Sequence, residues 1–304
     1  MKQFSARKFL AFGALVFTFV CLSLSAQNIP AAIDTDPPAD KQHPAAMEAF
    51  QLPSHGAKLN ALAYIAVGAG PHPVVVLLHG FPGNEKNLDL AQAIRRAGWD
   101  VLYFDYRGSW GSPGDFSFTH STQDVASALA YLRDPVNAAK LRADSKRIVL
   151  IGHSMGGFMT AYGTAHDPEV VGAGIISGAD FGAGNFAAHP EMTEAQVVSM
   201  LAPRLAEEGM APLSGCTPEG LAKEVWTNRA DWQFTAFAPG LGARPVLIVT
   251  SDDGLAATGQ ALADALKQAG NKHITEKHFT TDHSYSDKRI GLQETVLAWL
   301  ATLP

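Results

Sequence analysis

An α/β fold is predicted, with a mostly parallel central sheet of about eight strands, helices on both faces and a small helical cap. Three observations lead there. After Pro71, short runs mostly rich in β-branched residues alternate with helical patterns, the signature of a largely parallel sheet covered on both sides. Turns rich in Gly, Ser, Asp and His follow these runs, at the strand ends where such sheets bind ligands. The composition, 47% hydrophobic and 17% charged over 304 residues, is that of a globular chain long enough for one large α/β domain.

Residues 1–26 have a basic start, an apolar run and a small-residue exit at Ala26, the order of a secretory signal peptide. A helix over the run Phe9 to Leu24 would measure about 24 Å, short against a hydrocarbon core of roughly 30 Å. Cleavage after Ala26 is expected, giving a secreted or periplasmic protein without a stable membrane span. The alternative is an anchor that stays. Once Lys2, Arg7 and Lys8 are removed, 20 Lys and Arg face 29 Asp and Glu, a charge of −9 that argues against nucleic acid as a partner. Cys216 is then the remaining cysteine, so no internal disulfide is expected.

Residues 27–47, rich in Pro, Ala and Asp, read as a flexible arm. The domain proper is expected over 48–304, opening with two strands around "PSHGAK". Strands follow at "PVVVLLHG", "WDVLYFDYRG", "RIVLIGHS", "VVGAGIISGAD", "RPVLIVTSDD" and "KHITEKHF". Helices are expected at "NLDLAQAIRRAG", "STQDVASALAYLRD", "GGFMTAYGTAH", "AATGQALADALKQAG" and "RIGLQETVLAWL". The insertion 181–242 is too long for a bare loop and predicts a helical cap, with one helix interrupted at Pro203.

"GHSMG", residues 152–156, matches G-x-S-x-G. A serine at a sharp strand-to-helix turn needs small neighbours two residues away on either side, and Gly152 and Gly156 meet that need. The turn puts the next amide at a helix N-terminus, where unpaired N–H groups favour negative charge. Serine is a weak nucleophile that needs a base, and the base needs a carboxylate to fix its tautomer. Ser154, the Asp252–Asp253 pair and His283 each follow a strand in the order Ser, Asp, His.

"HGFPGNEKN", "DYRGSWGSPG", "GHSMGG", "SDDG" and "DHSYSD" in this order resemble the α/β-hydrolase superfamily over about residues 48 to 304. The chain is most similar to serine-ester hydrolases and to prolyl-oligopeptidase-like catalytic domains. The resemblance implies Asp253 as the orienting acid, with Asp252 left to cap the following helix, and Ser154 and His283 as nucleophile and base. It also implies an oxyanion hole made by the backbone amides of Phe81 and Met155, with His79 shaping that loop. His153 reads as structural or pocket-lining, and His273 and His278 as ordinary strand histidines. Asp105 and Arg107 are read as tying loops together.

Phe81, Trp226 and Trp232 are candidates for the substrate pocket, and Met200, Met210 and Phe234 could join them. No cofactor and no metal are expected, since no H-E-x-x-H motif is present and no G-x-G-x-x-G opens the first βα unit. The expected activity is hydrolysis of a small-molecule carboxylic ester through an acyl-enzyme. The alternatives are a prolyl-oligopeptidase-type peptidase acting on short peptides, or an amidase or thioesterase. Oligomeric state is not legible.

Overall fold

The computed structural model describes residues 30–182 and 191–304. The expected leader, residues 1–26, and residues 183–190 of the insertion lie outside the described residues. Eight strands form one sheet in the order β1-β2-β4-β3-β5-β6-β7-β8. β1 (Ala46–Ser54) and β2 (Ala57–Ile65) make an antiparallel hairpin, and β2 runs antiparallel to β4 (Asp100–Phe104). From β4 onward, through β3 (His72–Leu78), β5 (Ala143–His153), β6 (Gly172–Ile176), β7 (Val246–Ser251) and β8 (Ile274–Phe279), every pairing is parallel. The hairpin turn is tighter than expected. His55 and Gly56 both take positive φ, the geometry of a two-residue turn, so Pro53 and Lys58 pair within the strands.

β3 shows why the sheet needs two covers. Val74, Val76 and Leu78 face one core cluster while Val75 and Leu77 face the other, as the two-residue period of a strand requires. On the first face lie α2 (Phe118–Arg133), α4 (Met155–His166) and α8 (Ala256–Gln268); on the second lie α1 (Leu88–Arg96) and α9 (Arg289–Leu300). A short helix, α3 (Pro135–Leu141), leads into β5. The chain passes from β3 to β4 on one side and returns at β5 on the other, so the carboxyl ends of β3 and β5 flank the crevice where such sheets bind ligands.

The N-terminal arm is held where the sequence suggested flexibility. Arg96 donates to the carbonyls of Ala32 and Ile33, Arg142 to that of Pro44, and the Gly68 amide to His43. β1 then starts at Ala46, two residues early. The Arg96 and Arg142 side chains and the Gly68 amide together pin it, and Ala32 and Ile33 pack against the core.

The insertion between β6 and β7 forms three helices among the described residues: α5 (Glu194–Glu207), α6 (Pro218–Asn228) and α7 (Phe234–Leu241). α5 opens with a capping box from Thr193 and Gln196 and runs through Pro203 without a break. Pro203 and Ser199, whose carbonyl loses its helical partner, are both exposed, so water can satisfy that group. The insertion is tied down twice. Trp110 and Phe116 donate backbone N–H groups to Pro212 and Ser214, and Glu224 on α6 accepts from the amides of Phe118 and Thr119, capping α2.

Asp105 and Arg107 hold loops, each with its own partners. Asp105 accepts from Tyr103 and Lys86, whereas the Arg107 side chain and backbone both donate to Asp124, which also accepts from Ser54. Asp124 is wholly buried. Removing its carboxylate strands the Arg107 guanidinium without its main partner. Asp124→Ala is therefore expected to lower stability by about 3–5 kcal/mol, read as the change in the midpoint of urea denaturation.

Candidate active site

At the turn from β5 into α4, Ser154 has φ 59 and ψ −121, a backbone conformation that a residue with a side chain rarely adopts. The glycines beside it are required by space. A Cβ on Gly152 would overlap the Gly156 carbonyl, and one on Gly156 would overlap the Leu78 carbonyl at the end of β3. A Cβ on Gly80 would approach the Ser154 Cβ to 3.0 Å. Strand ends and helix start thus meet at van der Waals contact around this serine. The Ser154 amide donates to Ile176 of β6, and the Ser154 carbonyl accepts from Gly157 and Ala179. Met155, the first residue of α4, has an N–H with no carbonyl one turn earlier to take it.

His283 Nδ1 donates to Asp253 Oδ2 at 2.8 Å, which leaves Nε2 as the free ring atom. The imidazole is 40% exposed while the carboxylate is only 3% exposed. Burial alone pushes the Asp253 carboxyl up. Hydrogen bonds from His283, Ser177, the Leu255 amide and Ser251 outweigh it and hold the group well below the usual carboxylate range. Asp252 is not the helix cap the sequence suggested; it is exposed and meets His278 Nε2 at 3.1 Å. It is Asp253 that accepts the Leu255 amide through its second oxygen.

Three residues behind Asp253 were missed in the sequence. Ser177, at φ 42 after β6, lies 3.0 Å from the Ser251 hydroxyl and 2.8 Å from that of Tyr285. Tyr285 is fully buried, and burial pushes its hydroxyl up to about 12, so it stays a neutral donor. Ser177 in "IISGAD" and Ser251 in "TSDD" each end a strand, and Tyr285 follows two residues after His283. Their meeting is visible only when β6 and β7 lie side by side.

Two further histidines serve as supports. His153 Nε2 donates to the His283 carbonyl at 2.7 Å, and the two rings lie 4.6 Å apart. His79 Nδ1 donates to the Gly80 carbonyl at 2.7 Å, bracing the loop that presents Phe81. His273 and His278 flank or lie on the edge strand β8, away from Ser154.

A cavity of about 550 Å³ is lined by Ser154, Met155, Phe81, Asp253 and His283 from the sheet edge, and by Leu201, Arg204, Leu205 and Glu208 from α5. Phe118 and Phe181 complete its apolar wall. Of the three candidate pocket residues, Phe81 lines it. Trp226 and Trp232 are not among the described residues lining this cavity. Trp232 is packed against Phe118, Phe158 and Phe181 in the core with Phe234, and the Arg229 guanidinium lies 3.5 Å over the Trp226 ring. Among the described residues no group of three or more His, Cys, Asp or Glu could hold a metal ion.

The α/β-hydrolase fold family model matches residues 73–206. The chain has the α/β-hydrolase fold. Among solved structures it resembles a hyperthermophilic esterase from the archaeon Pyrobaculum calidifontis, with TM-score 0.64, 20% identity, and 84% of this chain and 86% of that chain covered. It also resembles EstE1, a thermostable carboxylesterase from a metagenomic library, with TM-score 0.59, 20% identity, and 84% and 89% covered. At such identity the likeness is one of fold. Among curated relatives, an uncharacterised 31.7 kDa protein of Escherichia coli is 33% identical over 136 residues, 43% of this chain and 45% of that protein. The sn-1-specific diacylglycerol lipase ABHD11 of Xenopus tropicalis is 34% identical over 123 residues, 39% of this chain and 35% of that protein. The chain thus spans less than half the length of these relatives.

The supporting histidines make stability depend on pH. Burial, above all, pushes the His153 and His79 rings down to about 4 each. Unfolded, a histidine titrates near about 6.5, so between these values the unfolded chain binds protons the folded chain does not. Stability then rises with pH across that window and falls as pH drops from about 6.5 toward 4. Asp100, pushed up to about 7 by burial, acts in the opposite sense. The clean test is a difference: His153→Gln is expected to lose less stability than the parent between pH 7 and pH 4.5, by up to about 3 kcal/mol in urea denaturation.

Proposed function

We propose that the protein is a serine hydrolase of carboxylic esters, with Ser154 as nucleophile, His283 as base and Asp253 as orienting acid. The observation that carries this reading is the His283–Asp253 hydrogen bond on the wall of the cavity that also holds Ser154 at its strained turn. His283 Nε2 takes the Ser154 proton as Oγ attacks the ester carbonyl, and the oxyanion that forms is met by the amides of Met155 and Phe81. His283 then passes the proton to the departing alkoxide. Water repeats the sequence on the acyl-enzyme, with His283 again as base, and Asp253 stays ionised throughout.

The apolar wall of Phe81, Phe118, Phe181, Leu201 and Leu205 favours an ester with an apolar acyl portion. The resembling structures bear the names of esterases, which supports esters over peptides. Export is proposed as well, on the sequence order of residues 1–26. Mass spectrometry of the protein recovered outside the cytoplasm would then begin at Gln27, and a retained Met1 would overturn that.

Labelling by a fluorophosphonate, located by peptide mass spectrometry, is expected at Ser154. Failure to label there, with no turnover of p-nitrophenyl esters, would sink the reading. Asp253→Asn keeps the shape of the side chain but favours the wrong imidazole tautomer, and is expected to lower kcat by about 10⁴-fold. Tyr285→Phe removes a support one step further out, and a smaller loss of kcat is expected in the same assay.

A further inference from the structure

Helix α5 turns one stripe of side chains toward the cavity over Ser154: Leu201, Arg204, Leu205 and Glu208. Their spacing of three and four residues is that of a single helix face. Leu201 and Leu205 continue the apolar wall, and Arg204 interrupts it with a cation. Arg107, Arg133 and Arg289 each bind a carboxylate, and Arg142 and Arg244 bind backbone carbonyls. The Arg204 guanidinium has no ion pair or hydrogen-bond partner among the described residues. It presents a planar set of N–H donors, a shape that suits a carboxylate, to a space built for substrate.

Charges of both signs line the larger cavity: Arg204 sits one turn from Glu208, and the Asp253 carboxylate lies on the same wall, held by His283. Glu208 also lines a smaller cavity of about 140 Å³ beside the oxyanion loop, together with Glu85, His153 and Ser284. His153 and Ser284 line that cavity and not the larger one. His283, which must give the leaving oxygen its proton, lines both cavities; the larger one, with its apolar wall of Phe81, Phe118, Leu201 and Leu205, has the room and the surface for an acyl chain. The acyl group then occupies the larger cavity, where Arg204 is the cation. The chain's formal charge of −6 offers an anion no long-range attraction, so a preference for one must be local.

On the ester-hydrolase reading above, we propose that Arg204 selects esters whose acyl chain ends in a carboxylate, the half-esters of dicarboxylic acids. The chain's methylenes lie along Leu201 and Leu205 while its carboxylate meets the guanidinium. Because Arg204 is exposed, the attraction is screened by salt.

The test compares mono-p-nitrophenyl adipate with p-nitrophenyl hexanoate, acyl chains of equal length that differ in the terminal carboxylate. The parent protein is expected to favour the adipate in kcat/KM. Arg204→Gln is expected to cut that ratio about tenfold, through KM for the adipate, and Arg204→Lys to keep most of it. Raising salt from about 0.05 to about 0.5 M should shrink the parent's ratio and leave that of Arg204→Gln flat. Hexanoate turnover with Ser154 labelled but no preference for adipate, or equal slowing of both esters by Arg204→Gln, overturns the proposal and leaves the ester-hydrolase reading standing. No turnover of either ester and no labelling overturns both.

Discussion

Gly156 lies so close to the Leu78 carbonyl, and Gly152 to Gly156, that the ends of β3 and β5 and the start of α4 form one contact with no room for a methyl group. The rest of the site depends on this approach. It holds Ser154 at positive φ, brings Gly80 and the Phe81 loop against the serine, and leaves the first amides of α4 open at the sheet edge. A strained turn persists only when its surroundings over-determine it. Here they do so through two parallel strands buried on both faces and the backbone hydrogen bonds that Ser154 donates to β6 and accepts from Gly157 and Ala179.

A second layer of support surrounds the imidazole. Asp253 orients it from one side, and Ser177, Ser251 and Tyr285 orient Asp253 in turn. His153 holds the main chain of His283 from the other side. These groups are buried, so each unmade hydrogen bond would carry a full desolvation cost, which makes the arrangement stiff. His153 and His79 can serve as fixed donors because burial keeps them neutral at ordinary pH.

The cap is coupled to this centre through the backbone. Glu224 caps the helix that carries Phe118, and segment 212–214 bonds the loop that follows β4. The cavity's apolar wall and its charged stripe are therefore held at a set distance from Ser154, although the residues involved lie far apart in sequence. Pro203 hid that stripe from sequence reasoning. A proline expected to end the helix separates Leu201 from Arg204, Leu205 and Glu208, whereas the exposed Ser199 carbonyl lets the helix continue through it.

The sequence by itself determined the sheet and the positions of the turns. Strand and helix periods, together with the glycines around Ser154, are local signals that need no knowledge of neighbours. The order of Ser154, the Asp252–Asp253 pair and His283 was legible for the same reason, since each lies in the turn after its own strand, whereas the choice of Asp253 came from the family resemblance. What only the tertiary structure decided is who meets whom across strands. Asp252 turns to His278, Trp232 sinks into the core, the N-terminal arm is pinned by Arg96 and Arg142, and Ser177 and Tyr285 meet behind Asp253. Such contacts depend on burial and on hydrogen-bond partners supplied by distant segments, and no local pattern records them.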